Sequence, residues 1–350
     1  MKKRLRDYEI VIGELDPGTR NAITDVEGVT IGHSTIDDGP VQTGVTAILP
    51  HPGNLFQEKL IAAASVFNGF GKTVGTVQLD ELGTLETPIL LTSTLNVGIA
   101  SDTLVDDMLK ENPEIGRSTG TINPVVGECN DMILNDIRQK SLKRHHILEA
   151  IQSADVDVEE GSVGAGRGMV AFSMKGGIGT SSRTIHSGNA DYTLGVLVLS
   201  NFGHLADLSI DGRAVGKELN QHVQDKQETD QGSIMIILAT DLPVTSRQLK
   251  RITKRCVTGL ARTGSIIGHG SGDLVIGFST AQKIPHDGGN SLFNFTALQE
   301  EQLEPAFRAA GEATEEAILN SLVTAETVTG RNQHTRKGLM ELLDQYKLTL

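Results

Sequence analysis

Gly232-Ser233-Ile234-Met235-Ile236-Ile237-Leu238-Ala239-Thr240-Asp241 sets six consecutive apolar residues between two short polar ends. A run of that length, rich in β-branched residues and bounded by glycine and aspartate, predicts a buried strand rather than a helix. Directly before it, Gln221 to Gln231 (QHVQDKQETDQ) carries one aliphatic residue among many charges and predicts an exposed loop. Working outward, Tyr192 to Leu199 and Val275 to Phe278 read as further strands. Thr245-Ser246-Arg247-Gln248 has capping-box spacing, and Leu249, Ile252, Cys256 and Leu260 form one helical face that ends at Gly264. Phe307, Ala310, Thr314 and Ile318 predict a second long helix, with Pro305 in its first turn.

The N-terminal half adds short strands at Ala22 to Val26, Val29 to Gly32, Gly44 to Leu49 and Thr87 to Thr92. Helices are expected from Gln57 to Phe67, from Asp102 to Leu109 and from Ser141 to Ser153. Strands in both halves with helices between them give an α/β class. Several neighbouring strands are joined by loops too short for crossover helices, so antiparallel pairing is expected.

The 350 residues are 38% hydrophobic and 21% charged, enough apolar material for a packed core and no case for disorder. Aromatics are 3%, Trp is absent and Gly reaches 39, so the core must be built from small aliphatic side chains and many tight turns. A net charge of −13 with no basic block excludes nucleic acid and anionic membrane as partners. The N-terminal Lys2-Lys3-Arg4 is followed by Asp7-Tyr8-Glu9 where a signal peptide needs an apolar region, and no apolar run could span a bilayer. The two cysteines, Cys129 and Cys256, are too far apart for a metal-type pair and too few for a disulfide scaffold, which fits a reducing, cytoplasmic setting.

Gly69-Phe70-Gly71-Lys72-Thr73 ends like a phosphate-binding loop, but the pattern's first glycine would fall at Val66. Gly164-Ala165-Gly166-Arg167-Gly168 lacks dinucleotide-binding spacing and reads as backbone folded tightly against another element. The ten histidines form no metal motif, His145-His146 reads as solvent-facing, and no metal or cofactor is expected. The polar run Gly127-Glu128-Cys129-Asn130-Asp131 fits either a hydrogen-bonded turn or a site. Gly232-Ser233 also has two readings. It is an ordinary loop-to-strand junction or, were its peptide bond cut, a serine whose hydroxyl is a nucleophile and whose new α-amine is the adjacent base.

The segments Gly232 to Asp241, Gly259-Leu260-Ala261-Arg262-Thr263-Gly264-Ser265 and Gly268-His269-Gly270-Ser271-Gly272-Asp273 resemble the self-processing P1 family. This is the group of DmpA-type L-aminopeptidase/D-amidase-esterases and β-aminopeptidases. The resemblance extends to Asn21-Ala22-Ile23-Thr24-Asp25-Val26, Gly32-His33, Asn68 to Lys72, Val125-Val126-Gly127-Glu128, Gly176 to Arg183 and Asn201-Phe202-Gly203, in that order along nearly the whole chain. It implies a four-layer αββα sandwich and a single catalytic domain, 1–350, that cuts itself between Gly232 and Ser233 into chains 1–232 and 233–350.

The same resemblance implies roles. Ser233 matches the nucleophile, Asn201 a side-chain donor to the oxyanion, and Ser271 and Asp273 a serine and an acidic residue beside the nucleophile, the latter glutamate in some relatives. Glu128 matches a carboxylate for the substrate's free amine. Asn130 stands where well-known members place an oxyanion tyrosine, and no Tyr occurs between Tyr8 and Tyr192. The implied function is an N-terminal-serine aminopeptidase acting on small peptides, amino-acid amides or esters, assembled as a homo-oligomer of αβ heterodimers. Two alternatives stand beside it: an acyltransferase of ornithine-acetyltransferase-like architecture, whose nucleophile is threonine, and a non-cleaving relative that binds a small metabolite.

Overall fold

A computed structural model describes residues 2–187, 190–223, 232–287 and 292–350. Residues 224–231 of the exposed loop expected over Gln221 to Gln231 lie outside the described residues. In chain order the strands are β1 (Thr30–Asp38), β2 (Val41–Leu49), β3 (Glu58–Gly69), β4 (Thr84–Leu85), β5 (Ile89–Ser93), β6 (Val125–Cys129), β7 (Val170–Ala171), β8 (Met174–Lys175), β9 (Gly177–Ser187), β10 (Ala190–Asn201), β11 (Ser233–Thr240) and β12 (Gly272–Pro285). The helices are α1 (Thr76–Leu82), α2 (Val97–Glu111), α3 (Arg144–Gln152), α4 (Val215–Asn220), α5 (Ser246–Thr253), α6 (Cys256–Arg262), α7 (Glu304–Val323) and α8 (Leu339–Tyr346). No described helix is long and apolar enough to cross a membrane.

Ten of these strands form a four-stranded sheet, β1-β2-β5-β6, and a six-stranded sheet, β4-β3-β12-β11-β10-β9, while β7 and β8 pair only with each other. Period-two alternation assigns each strand's side chains to two separate cores. Along β11, Ile234, Ile236 and Leu238 enter a core shared with α5, α6 and α7. The intervening Met235, Ile237 and Ala239 enter a second core with Ile48 of β2, Ile89 and Leu91 of β5 and Val125 of β6, which fills the space between the sheets. A third core joins the other face of the small sheet, through Val45, Ala47, Leu90 and Val126, to Ala100 and Leu104 of α2 and Ile147 of α3. Three cores between four layers make this an αββα sandwich.

Antiparallel pairing joins β1 to β2, β2 to β5, β9 to β10, β10 to β11 and β3 to β12. Two neighbours break that expectation: β5–β6 and β11–β12 run parallel, each pair connected through helices, α2 in the first and α5–α6 in the second. The helix expected over Gln57 to Phe67 is instead strand β3. Its alanines favour a helix in isolation, but Leu60, Ala62 and Ala64 face the inter-sheet core while Ile61 and Ala63 face the helical core. Burial on both faces outweighs intrinsic propensity there. The strand expected at Ala22 to Val26 is a 3-10 turn, Ile23–Asp25, closed by the Asp25 carboxylate on the Ala22 N–H at 3.1 Å.

The low aromatic content is explained at the α7–β9 contact. A Cβ on Gly179 would lie 2.0 Å from the Ala317 carbonyl, so glycine is required for α7 to approach this closely. Ser181 continues the seam by donating to the Ala313 carbonyl at 2.7 Å. Charge is sealed into the same interface. Fully buried Arg183 on β9 pairs with Glu316 at 2.7 Å and Glu312 at 3.4 Å on α7, and Arg6 pairs with Glu316 at 2.8 Å. Burial alone would raise the Glu316 pKa, but Arg6, Arg183 and Asn21 outweigh it and hold the carboxyl below its ordinary range. Arg183→Met leaves Glu316 with Arg6 alone and Glu312 with only the exposed Arg308, a loss of up to about 3–5 kcal/mol. Denaturant unfolding measures it, and a loss below about 1 kcal/mol would rank this network with ordinary surface pairs.

Candidate active site

Ser233 is the first residue of β11, a central strand hydrogen-bonded to β10 on one side and β12 on the other. The antiparallel register sets Ser233 opposite Asn201, the last residue of β10. The parallel register sets Ile234 opposite Asp273. Residues from three adjacent strand ends therefore meet at one edge of the large sheet. The Ser233 hydroxyl accepts a hydrogen bond from the Gly272 N–H at 3.0 Å, between the two flanking residues Ser271 and Asp273. Ser271 hydrogen-bonds the buried Asp273 carboxylate, and its Oγ also lies 2.7 Å from the Gly268 carbonyl. The loop carrying Ser271 is braced from β3 by the Asn68 amide, which reaches the carbonyls of Gly268 at 3.1 Å, His269 at 3.0 Å and Ser271.

Asn201 is held at both ends of its amide. Its Oδ1 accepts from the Val170 N–H at 2.9 Å, and its Nδ2 donates to the Asn130 carbonyl at 3.1 Å. An N–H can only donate and a carbonyl can only accept, so these partners fix which end of the amide is nitrogen. One of the two Nδ2 protons is committed to Asn130. Gly232 lies against the same residue: a Cβ there would come within 2.0 Å of the Asn201 carbonyl oxygen and 2.5 Å of the Phe202 Cα. The residue before Ser233 must therefore be glycine for the junction to close on β10.

The small sheet covers this edge. Where β6 crosses β11, a Cβ on Gly127 would meet the Met235 side chain at 2.6 Å. Glu128, buried near the end of β6, accepts from the Lys72 N–H at 2.8 Å and from the Thr94 hydroxyl. Asn130 contributes its backbone carbonyl to Asn201, while its side-chain Oδ1 accepts from the Met132 N–H at 3.1 Å and closes a turn. The Cys129 thiol between them is pushed well up, first by burial and then by the carboxylates of Glu128, Asp273 and Asp131. Three carboxylates thus act electrostatically on one buried thiol.

The structure brings Ser233, Asn201, Ser271, Asp273 and Gly232 together on the large sheet and sets Glu128 and Asn130 opposite them. Sequence reasoning did not single out Thr94 or the Lys72 N–H as supports of Glu128, nor the function of Asp131. Asp131 accepts from Thr43 at 2.6 Å, Ser93 at 2.9 Å and Asn135 at 3.0 Å. Burial pushes its pKa up to about 6 against those three bonds. Its place in a dense polar run was the available signal. Among the described residues no group of three or more His, Cys, Asp or Glu is arranged to hold a metal ion. Of the His145-His146 pair expected to face solvent, His145 is exposed on α3 whereas His146 is half-buried.

The family model of peptidase family S58 matches residues 21–336. The chain belongs to peptidase family S58. It is 39% identical over 361 aligned positions to the β-peptidyl aminopeptidase BapA of Sphingosinicella xenopeptidilytica, covering 96% of this chain and 88% of that protein. A solved structure from Pyrococcus horikoshii OT3 superposes with a TM-score of 0.92 at 48% identity over 99% of this chain and 100% of that one. The L-aminopeptidase D-Ala-esterase/amidase of Ochrobactrum anthropi, a prototype for the serine aminopeptidases with a variant Ntn hydrolase fold, gives 0.90 at 33% identity over the whole of both chains. The S58 fold is thus the sandwich implied by the sequence resemblance.

In this S58 chain Glu128 is a buried carboxylate with two neutral donors. Thr94→Val keeps the shape and removes one of them, with an expected stability loss of about 1.5–3 kcal/mol for a hydrogen bond to a charged group. A change below about 0.5 kcal/mol in denaturant unfolding would mean that Thr94 does not support Glu128.

Proposed function

We propose that this S58 peptidase is a self-processing aminopeptidase whose nucleophile is Ser233. The observation that carries the reading is the meeting of Ser233 with Asn201 across β10–β11, with the Gly272 N–H on the Ser233 hydroxyl. In self-cleavage the Ser233 Oγ attacks the Gly232 carbonyl carbon. The Gly232–Ser233 C–N bond breaks, an ester forms, and the Ser233 nitrogen takes the hydroxyl proton to become a free amine. Water then hydrolyses the ester, leaving Gly232 as a carboxylate and Ser233 as a new N-terminus. Chains 1–232 and 233–350 stay joined, because Arg6 and Arg183 lie on one side of the cut and Glu312 and Glu316 on the other.

In turnover, the Ser233 Oγ attacks the carbonyl of the substrate's first residue while the Ser233 α-amine accepts its proton. That proton passes to the leaving amine, and water releases the acyl group. The second Nδ2 proton of Asn201 and the Asn130 amide stabilise the oxyanion. Ser271 and Asp273 orient the nucleophile and relay protons. Glu128 accepts the substrate ammonium, supported by its burial and by its relatives' aminopeptidase activity, β-peptidyl in BapA.

Intact-mass measurement tests self-cleavage. Division of 37.4 kDa in the ratio 232 to 118 gives pieces of roughly 25 and 13 kDa, whereas Ser233→Ala should remain whole. A Ser233→Ala chain that still splits at the same bond refutes the nucleophile, and an intact wild type favours the non-cleaving alternative.

Kinetics on one aminoacyl anilide test the facing sheet. Glu128→Gln should weaken binding by about 1.5–3 kcal/mol, read as a raised KM. Asn130→Ala should lower kcat about 100-fold with little change in KM. Wild-type values for both would reduce this segment to a polar turn.

A further inference from the structure

The six residues Val170-Ala171-Phe172-Ser173-Met174-Lys175 form a tight hairpin, β7 paired to β8, against the end of β10. Its two turn residues, Phe172 and Ser173, have φ of +51° and +60°, a left-handed pair with no glycine to relieve it. Backbone strain of this kind persists only where surrounding contacts impose it. Here the contacts are explicit. The Phe172 N–H donates to the Phe202 carbonyl at 2.7 Å, and the two rings meet edge-on with centroids 5.1 Å apart. Two residues earlier, the Val170 N–H is the donor that fixes the Asn201 amide. The hairpin thus grips Asn201 and Phe202 in succession.

The last residue of the hairpin, Lys175, is fully buried. Its Nζ donates to the carbonyls of Gly166 at 2.7 Å, Met169 at 2.9 Å and Gly176 at 2.7 Å. Three acceptors match the three protons of an ammonium, whereas a neutral amine has only two to donate. Burial pushes the Lys175 pKa down, Arg167 and Lys2 add to that, and Asp131 opposes it. A cation in this position carries a desolvation cost, which the three carbonyls and the nearby carboxylate offset. The Met169 carbonyl belongs to the same peptide unit as the Val170 N–H. Lys175 therefore grips one end of the peptide whose other end grips Asn201.

We propose that Lys175 is a positioning residue for the reaction: by holding the 169–170 peptide it aims the Asn201 amide, and its second Nδ2 proton, at the reacting carbonyl. The inference rests on the reading of Asn201 as an oxyanion donor. A scaffold role alone would require only that the hairpin be filled; the three-carbonyl ammonium and the peptide shared with Val170 link Lys175 to one particular side chain.

The test is a double-mutant cycle in the full chain, with kcat and KM on an aminoacyl anilide, the rate of self-cleavage and the thermal midpoint all measured. Asn201→Ala is the reference: unchanged kcat in this variant alone overturns the oxyanion reading, and with it the basis of the inference. If Asn201→Ala is impaired, Lys175→Met should lower kcat about 10- to 100-fold with KM within about twofold, and should lower it little further in the Asn201→Ala background. Losses that multiply in the double variant would make Lys175 a structural residue and overturn the proposal. Lys175→Gln, which retains two N–H donors without the charge, is the second variant. It should fall between wild type and Lys175→Met in kcat, and failure of both variants to fold would equally assign Lys175 to the scaffold.

Discussion

Strand β11 is held by hydrogen bonds on both edges and by separate cores on both faces, and that fourfold constraint fixes the position of its first residue. Most loop-to-strand junctions fray, because an edge strand or a solvated face lets the terminal residue move. Ser233 has neither freedom: Asn201 lies across one edge, the Gly272 N–H reaches its hydroxyl from the other, and Gly232 is pressed onto the Asn201 carbonyl. If the peptide bond before Ser233 is cut, as proposed, the new terminus inherits this fixity from the sheet and needs no further ordering. Preorganisation of the nucleophile is thus a property of the fold rather than of local contacts alone.

The same logic governs the outer layer. Helix α7 approaches β9 through Gly179 and Ser181, where larger side chains would hold the layers apart. A composition rich in Gly and poor in aromatics is what such close approach demands. Thin layers leave little room for water, so the carboxylates of Glu312 and Glu316 must be neutralised from within, by Arg183 and Arg6. That network joins residues on the two sides of Gly232–Ser233, so it would still link the two pieces if the bond were cut as proposed.

Legibility in the sequence followed burial geometry. Helix α7 and the capped start of α5 were readable because Pro305, Thr245 and Gln248 give local signals that tertiary contacts reinforce. Strand β3 was not, since Leu60-Ile61-Ala62-Ala63-Ala64 carries no polar residue to mark its period; only the position between β4 and β12 makes it a strand. The parallel β5–β6 and β11–β12 pairs were hidden in the same way, because the partner of a strand is a long-range fact. Residues that carry family motifs, such as Asn201 and Asp273, could be named from the sequence, but the peptide N–H groups and hydroxyls that aim them, from Val170, Gly272 and Thr94, could not. A backbone donor leaves no mark on residue identity.

Lys175 was the exception that did leave a mark, a single cation in the run Met169 to Gly177, and its burial bears on the charge of the whole site. Glu128, Asp273 and Asp131 are close enough together that all three raise the Cys129 pKa. If Glu128 binds a substrate ammonium and the Ser233 α-amine is the base, as proposed, nearby carboxylates serve the first role and oppose the second, because negative charge favours a protonated amine. The two demands conflict unless the negative charge is graded across the site. Lys175 interacts with Asp131, the carboxylate already satisfied by Thr43, Ser93 and Asn135 and the one with no proposed partner in the substrate. Under the proposed roles, an ammonium at Lys175 opposes the charge of Asp131 and leaves Glu128 as the carboxylate for the substrate. On this view the buried lysine both aims the oxyanion donor and keeps the surplus of carboxylates from disabling the base they surround.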